Sequence, residues 1–453
     1  MEHTLTKHLF HFVENCPTAF HTAYTVSEKL RKNGYQQLSE SESWNLSPGG
    51  KYFVTKNMST IVAFRLPEND FISFLIAAPH GDAPCFKVKG SPEMGVDGKY
   101  TKLNTEVYGG MALNLWFDRP LSVAGRVMVR TETGVQSVLV NVKRDLFVIP
   151  SLAIHMNREA NTGVKMNAQV DTLPLFGMEE ADFMQLIAAE AECSEEDILS
   201  YDLYLYNRET GRTIGRNEEF ILCPKLDDLQ CTFSALESFF SMENSNHVTV
   251  LSVFDNEETG SFTKQGADSS FMSDILKRIS AAYGYDESAH SAAVSASFIL
   301  SADNGHAVHP NYPEKSDPTN RCYLNGGILI KNNVKYATDA VSSAVFRRIC
   351  EQAQAPVQEY YNRSDVVGGS TLGNIISTHI PANTVDIGMP QLSMHSPNEV
   401  GGIKDAVYMV EVMKTFYSST IEIHDGGNIS ISFPGGNRPV QKKDKWQDIS
   451  SHG

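Results

Sequence analysis

Three predominantly apolar runs, each ending abruptly in polar residues, organise the chain. They are residues 71–78, 247–254 and 294–301. The polar segments at their ends are Pro-His-Gly-Asp at 79–82, Asp-Asn-Glu-Glu at 255–258 and Asp-Asn-Gly-His at 303–306. A short continuous apolar run predicts a strand that is buried on both faces, as in a parallel sheet. The carboxyl ends of such strands are where α/β proteins place their binding and catalytic residues.

Helical patterns alternate with strands in the two outer parts of the chain. The spacing predicts helices at 4–33 with a break at Cys16-Pro17, and at 227–242, 267–283, 339–353, from 371 and at 405–419. It predicts further strands at 51–56, 59–66, 326–331 and 384–387. Alternation of strands and helices indicates the α/β class, here a mixed sheet flanked by helices.

Residues 91–221 have a different character. Short segments alternate apolar and polar side chains, interrupted by an acidic helix near 179–191 and a polar loop near 159–172. A period of two predicts strands with one buried face. We therefore predict a discontinuous domain of residues 1–90 and 222–424, an inserted β-rich domain at 91–221, and a polar tail at 425–453. The tail's Gly, Asn and Lys predict partial disorder, or order only in an assembly.

Composition excludes several classes of partner. The chain has 453 residues, a net charge of −16 and 41% hydrophobic residues, enough for two or three domains. No basic surplus exists to neutralise phosphates, which argues against nucleic acid or an anionic membrane as the partner. The polar N-terminal residues lack the apolar core of a signal peptide, and no run approaches membrane-spanning length. Seven scattered cysteines without a C-x-x-C pair favour reduced thiols in a cytoplasmic protein.

Glu257 and Glu258 stand where the run 247–254 ends. On an extended backbone adjacent side chains point in opposite directions, so the two carboxylates are expected to have different roles. One suits a metal ligand and the other a free base. A lone Glu-Glu pair is more often a solvated acidic turn, and these two residues alone leave both interpretations open.

Five residues at strand ends or in loops carry side chains that bind metals: His80, Asp227, Glu258, Asp303 and His395. Taken singly, Asp227 could cap its helix and Asp303 could belong to a turn. Taken together, they suit two divalent metal ions, Zn²⁺ before Co²⁺ or Mn²⁺. Such a pair holds a hydroxide and polarises a carbonyl, with Glu257 moving the proton. Asp82 is placed to orient the imidazole of His80.

Eight ordered motifs then carry a family resemblance. They are HGDAP at 80–84, YGG at 108–110, WFDR at 116–119, IPSLAIH at 149–155, KLDDL at 225–229, FDNEE at 254–258, SADNGHAVHPN at 301–311 and QLSMHS at 391–396. Across most of residues 1–424 the chain resembles the aspartyl aminopeptidase family of dinuclear zinc exopeptidases. The order of all eight motifs is specific, although each alone is weak.

The resemblance implies a zinc-exopeptidase-like fold and a role for each matching residue. One metal takes His80, Asp227 and Asp303, the other takes Asp227, Glu258 and His395, and Glu257 is the general base. His306, Lys331 and Tyr336 match substrate-contacting positions. His155 matches a histidine that family members present to the neighbouring subunit's active site. The resemblance also implies a homo-oligomer, a tetrahedral dodecamer built from dimers, with the inserted domain at the dimer contact.

Three hypotheses about function follow. The preferred one is a metal-dependent aminopeptidase acting on peptides, preferably with N-terminal Asp or Glu, where Lys331 meets the acidic side chain. A solvated lysine is the competing interpretation of Lys331. Departures from the family pattern at Gly81, Ala83 and Asp228 keep a preference for neutral N-terminal residues as an alternative. The last hypothesis is a non-catalytic scaffold, against which the intact ligand set and Glu257 argue.

Overall fold

The largest sheet of the molecule is a mixed sheet at its centre. The computed structural model describes residues 2–179, 181–243, 246–424 and 427–438, and within these ranges this sheet has nine strands. In spatial order they are Gln36–Gln37, Lys51–Lys56, Thr60–Arg65, Val248–Val253, Phe74–Ala78, Phe298–Ala302, Asn383–Gly388, Ile328–Asn332 and Val357–Tyr361. The four strands from Val248–Val253 to Asn383–Gly388 are parallel neighbours. The predicted α/β fold with a mixed sheet is confirmed.

Helices cover both faces of this sheet. The described helices longer than one turn are Glu2–Glu14, Ala19–Lys32, Phe183–Glu190, Leu226–Ser241, Phe271–Ala282, Glu287–Ser295, Ala340–Ala353, Leu372–His379 and Ile403–Ser418. Side chains of one strand alternate between two cores, because successive residues face opposite sides. Leu75 packs with the core that contains Leu229 and Met409, whereas Ile76 packs with the core that contains Leu276. None of the described helices is long and apolar enough to cross a membrane.

A second sheet is wholly antiparallel and has six strands in the described ranges. In spatial order they are Gly134–Asn141, Leu121–Thr131, Ile198–Asn207, Cys85–Val96, Tyr100–Tyr108 and Leu175–Met178. One of its faces packs on the helix Phe183–Glu190 in a separate core. The segment predicted as a polar loop near 159–172 is irregular apart from the short helix Ala168–Asp171. The division of the chain at 91 and 221 stays a prediction.

A third sheet and a hairpin complete the described chain. The strands Arg212–Ile214, Phe220–Cys223, Glu399–Gly402, Pro390–Leu392 and Gly305–His306 form the third sheet, so residues from distant parts of the chain pair there. Thr420–Ile423 pairs with Ile429–Ser432, and Phe433 is buried. Residues 429–433 of the predicted tail are therefore ordered, because this short apolar stretch packs on the main core. The tail beyond 438 lies outside the described residues.

The run 294–301 was predicted as one strand and is divided between two elements. The helix Glu287–Ser295 takes its first residues, and the strand Phe298–Ala302 takes the last. The side chain of Asp286 accepts a hydrogen bond from the backbone N–H of Ala289 and so starts the helix. An alanine-rich stretch favours its continuation. The strand's carboxyl end is nevertheless where the sequence predicts it.

Candidate metal centre

The predicted metal ligands meet at the carboxyl edge of the parallel strands. His80 follows the strand Phe74–Ala78, and Asp303 follows the strand Phe298–Ala302. Three groups of three ligand atoms occur among the described residues, and within each group all atoms lie within 4.8 Å of one another. Two of them share Asp227, namely His80, Asp227 and Asp303, and Asp227, Glu258 and His395; the third is His80, Glu257 and Glu258. The structure thus brings together all five residues in the two sets that the sequence resemblance implies.

Asp227 is common to both groups. Its Oδ1 lies 3.4 Å from Nε2 of His80, and its Oδ2 lies 3.3 Å from Nε2 of His395. The residue is 3% exposed and has a non-helical backbone, although it falls within the helix Leu226–Ser241. One oxygen directed at each imidazole is the arrangement that a bridging carboxylate needs. The alternative interpretation of Asp227 as a helix cap is wrong.

Glu257 and Glu258 lie in one 3₁₀ turn, Glu257–Thr259, after the strand Val248–Val253. The turn is entered through Asn256, whose φ of 62° is left-handed, a conformation that Asn tolerates better than most residues. The expectation of an extended backbone at this pair is therefore wrong. A ligand atom of each glutamate nevertheless lies within 4.8 Å of one from His80.

Asp82 holds this turn in place. Its Oδ1 accepts the backbone N–H of Glu257 and its Oδ2 that of Glu258, both at 3.2 Å. The hydroxyl of Tyr108 donates to Oδ2 at 2.6 Å, and Oδ1 lies 3.3 Å from Nδ1 of His80. With 4% exposure, Asp82 is buried among these partners. Asp82 is therefore arranged to position His80 and both glutamates, which agrees with its predicted orienting role.

Burial dominates the electrostatics of the centre. It raises the pKa of Glu257 to about 8, and it raises the pKa of Glu258 well above its ordinary range. Burial would also raise the pKa of Asp227, but its contacts with His395 and His80 hold that pKa below the ordinary value. Burial would lower the pKa of His80, yet its close contacts with the carboxylates of Asp227 and Asp82 raise it. Such a crowd of buried carboxylates favours a bound cation.

Unpartnered oxygens give an independent test of whether a metal fits. Within the described chain, Oδ1 of Asp227 and Oε1 of Glu258 are buried and accept no hydrogen bond. A buried carboxylate oxygen without a donor is costly, and a cation removes that cost. The mixed imidazole and carboxylate set suits Zn²⁺. The residues therefore fit a divalent metal, while the number and identity of the ions stay predictions.

Lys331 is tied to the predicted ligand Asp303. Its ammonium donates to the backbone oxygens of Asp303 and Asn304, at 2.8 Å each, and to Oδ2 of Asp303 at 3.1 Å. An ammonium has three N–H groups, so all of them are engaged. Lys331 is only 3% exposed, and the interpretation as a solvated lysine is wrong. Its role toward an acidic substrate stays a prediction.

A cleft of about 710 Å³ opens beside the ligand groups. Its walls include His306, Lys331 and Tyr336, as well as Glu257. The ammonium of Lys331 lies 5.7 Å from the ring centre of Tyr336. Three of the predicted substrate contacts therefore share the cleft with the predicted base. The fourth, His155, is exposed in a loop and does not line this cleft.

Two buried carboxyl groups that support the ligands were not singled out from the sequence as functional. Glu399, which is 1% exposed, accepts the backbone N–H of Asp227 at 2.9 Å and that of His395 at 2.7 Å. Asp228 accepts the N–H of His80 at 3.1 Å. Each therefore fixes the backbone of a residue predicted to bind metal. The sequence feature that could have indicated Glu399 is a single charged residue at the start of a strand that is otherwise without charge, Glu399–Gly402.

We expect Glu399→Gln to weaken zinc affinity by about tenfold to a hundredfold, the usual cost of losing a group that orients a ligand. The amide keeps the size of the side chain but replaces one acceptor oxygen with an NH₂ donor. One of the two backbone N–H groups, that of Asp227 or that of His395, then loses its acceptor. Competition with a chromophoric chelator measures the affinity. Glu411→Gln, an exposed glutamate on the helix Ile403–Ser418, is the control. Unchanged affinity in Glu399→Gln would contradict a positioning role.

Known proteins resemble this chain over most of its length. Residues 12–417 match the family described as aminopeptidase I zinc metalloprotease (M18). A probable M18 family aminopeptidase 2 of Clostridium novyi is 46% identical over 422 residues, covering 90% of this chain and 98% of the relative. A probable M18 family aminopeptidase 2 of Pseudomonas aeruginosa is 37% identical over 432 residues, covering 93% and 99%.

Solved structures share the same fold. A chain in the cryo-EM structure of the Ape4 and Nbr1 complex superposes with a TM-score of 0.89 at 34% identity, covering 92% of this chain and 86% of that one. The mApe1 dodecamer of S. cerevisiae matches with a TM-score of 0.80 at 26% identity, covering 91% and 96%. The geometry of the ligand groups and these similarities agree with the sequence resemblance. The chain belongs to the aminopeptidase I zinc metalloprotease (M18) family.

Proposed function

We propose that this chain is a dinuclear metallo-aminopeptidase that removes the N-terminal residue of peptides. The observation that carries the proposal is the pair of ligand groups that share Asp227. His80 and Asp303 would complete one metal site, and Glu258 and His395 would complete the other. Zn²⁺ suits these ligands, and Co²⁺ or Mn²⁺ are alternatives.

Glu257 is the proposed general base. Bound divalent ions supply Lewis acidity, which polarises the scissile carbonyl and lowers the pKa of water at the site. Glu257 lines the cleft, and one of its carboxylate oxygens lies within 4.8 Å of a ring nitrogen of His80. From this position its carboxylate can accept a proton from the attacking water and deliver it to the leaving amine. Asp82 keeps the turn of Glu257 fixed through its backbone N–H.

We extend the proposal to substrates with N-terminal Asp or Glu. Lys331 and His306 both line the cleft, and a cation there attracts an acidic side chain. The engagement of all three Lys331 N–H groups by Asp303 and Asn304 limits this contribution to charge alone. That observation favours a preference for neutral N-terminal residues as the second candidate function.

The assembly and location are also proposals. Similarity to the mApe1 dodecamer supports a homo-oligomer, here a dodecamer built from dimers in which His155 would reach the neighbouring subunit's active site. Around His155, the apolar side chains of Leu152, Ile154 and Met156 are 56%, 43% and 74% exposed, which suits a subunit contact. All seven cysteines are unpaired, which supports a reducing, cytoplasmic location.

A panel of aminoacyl p-nitroanilides, assayed with and without a chelator, tests the function. We expect kcat/KM for the Asp and Glu compounds to exceed that for Leu and Ala by about tenfold or more, since a buried charge pair discriminates strongly. The chelator should abolish all turnover, and zinc or cobalt should restore it. Faster turnover of Leu and Ala would establish the second candidate. No turnover after metal addition would indicate the non-catalytic scaffold.

A further inference from the structure

One buried carboxylate, that of Asp386, joins two of the loops that line the cleft beside the metal centre. Asp386 lies on the strand Asn383–Gly388 and is 0% exposed. The first loop, residues 333–338, follows the neighbouring strand of the central sheet, and the second, residues 362–371, precedes a helix. The cleft residues of these two loops are Tyr336, Gly369 and Ser370.

Two hydrogen bonds attach the first loop to Asp386. Oδ2 of Asp386 accepts the backbone N–H of Ala337 at 2.7 Å, and the backbone N–H of Asp386 donates to the hydroxyl of Thr338 at 2.9 Å. Ala337 directly follows Tyr336, a predicted substrate contact whose side chain lines the cleft. The two bonds therefore fix the backbone beside Tyr336.

The second loop is attached through Thr371, which directly follows the cleft residue Ser370. The hydroxyl of Thr371 donates to Oδ1 of Asp386 at 2.7 Å. Thr371 is the N-cap residue of the helix Leu372–His379, where a threonine side chain usually accepts a backbone N–H of the first turn, but here it makes no capping bond. The hydroxyl thus holds the loop to Asp386 and does not cap the helix.

The start of this helix leaves room for the carboxylate of Asp386. A Cβ atom at Gly373 would overlap Oδ1 of Asp386, so the helix backbone approaches the carboxylate as closely as a glycine allows. The amino end of a helix also favours a negative charge beside it. Asp386 is therefore closely fitted between the strand, the loop of residues 333–338 and the helix.

We propose that Asp386 is a positioning residue for the substrate. By bonding to both loops, it keeps Tyr336 and the segment of Gly369 and Ser370 at the spacing that the bound N-terminal residue requires. The inference rests on the proposed aminopeptidase function, because that function places the N-terminal residue in this cleft. The carboxylate partners of Asp386, Ala337 and Thr371, are not predicted metal ligands. Loss of the carboxylate should therefore weaken substrate binding and leave the metal ions bound.

Asp386→Ala removes both acceptor oxygens. We expect KM for the preferred aminoacyl p-nitroanilide to rise about tenfold, while kcat changes less than about threefold and the metal content is unchanged. Asp386→Asn is the conservative variant, because its amide oxygen can accept the N–H of Ala337 and its NH₂ group can donate to the hydroxyl of Thr371. Its KM should stay within about twofold of the wild-type value. An equal rise of KM in both variants would show that the charge of Asp386 acts, and not its hydrogen bonds, and would overturn the proposal.

Asp405→Ala is the matched control for a general loss of stability. Asp405 is also 0% exposed, and it accepts the backbone N–H groups of Asn325 and Gly327 at 2.6 Å and 2.9 Å. Neither of these partners belongs to a cleft loop. Both alanine variants should unfold at a lower temperature than the wild type, but only Asp386→Ala should raise KM. A similar rise of KM in Asp405→Ala would overturn the positioning role.

Thr371→Val keeps the test open if Asp386→Ala does not fold. It removes one hydroxyl at nearly constant shape, and we expect KM to rise about threefold. Thr384→Val is its control, because Thr384 lies on the strand of Asp386 and its buried hydroxyl donates to the backbone oxygen of Ala382, away from the cleft. Unchanged KM in whichever of the Asp386→Ala and Thr371→Val variants folds would refute this inference alone. No turnover by the wild-type chain would refute the proposed function, and this inference with it.

Discussion

Replacing Glu257 with Gln is expected to lower kcat by about 10³-fold while the metal content of the enzyme stays unchanged. Gln has the size of Glu but cannot accept a proton from water at neutral pH, and general acid–base catalysis typically contributes about 10²–10⁴-fold. Glu257 belongs to neither of the two ligand groups that share Asp227. Both proposed metal sites therefore keep all of their ligands when Glu257 is replaced. Steady-state kinetics and metal analysis of the purified variant measure the two quantities.

The adjacent glutamate is the matched control. Oε2 of Glu258 lies 3.3 Å from Nε2 of His395, within a ligand group. Glu258→Gln should lower metal affinity about tenfold or more, and excess metal should restore part of its turnover. Metal loss from Glu257→Gln, or normal turnover in that variant, would contradict this division of roles between neighbouring carboxylates.

The strand ends were the part of the site that could be predicted from the sequence. An apolar run that stops at a polar residue marks both the strand and the edge of the sheet where it ends, so His80 and Asp303 were expected to be neighbours. Their proximity follows from the parallel pairing of Phe74–Ala78 with Phe298–Ala302. The hydrophobic pattern indicates strands of this kind, because fully buried strands tolerate few polar positions.

The backbone supports of the site could not be predicted in this way. Glu399 bonds to the N–H of Asp227 across 172 residues of chain, and Asp82 bonds to the N–H of Glu257 across 175. No local pattern encodes a contact between a side chain and a backbone group so far away. The left-handed backbone of Asn256 was not predicted either. It bends the Glu257–Glu258 pair out of the extended conformation that the preceding strand suggests.

The hydrophobic pattern also failed to predict an element boundary where a helix and a strand share one apolar run. In 294–301 the helix Glu287–Ser295 and the strand Phe298–Ala302 both need buried side chains, so hydrophobicity alone does not mark the boundary. The pairing of Ile429–Ser432 with Thr420–Ile423 was missed because the surrounding residues are polar. There the burial of Phe433 on the main core, a tertiary contact, accompanies the short strand.

Replacing Asp227 with Asn is expected to empty both metal sites and lower kcat/KM by about 10³-fold or more. The amide keeps the shape of the carboxylate but removes the one negative charge that both ligand groups share. Lewis-acid catalysis by the metals contributes several kcal/mol to the transition state, and each ~1.4 kcal/mol corresponds to tenfold in rate. Metal analysis of the gel-filtered variant and kinetics on the preferred anilide measure the loss.

His395→Ala gives the contrast that identifies Asp227 as the bridge. His395 belongs to one of the two groups that share Asp227, so its loss should leave His80, Asp227 and Asp303 intact and one metal ion bound. Asp227→Asn should retain less metal than His395→Ala at every free zinc concentration, although it changes fewer atoms. Equal occupancy in the two variants would mean that Asp227 serves a single ion. A carboxylate that bridges two ions is thus identified by the loss of both ions when it alone is replaced.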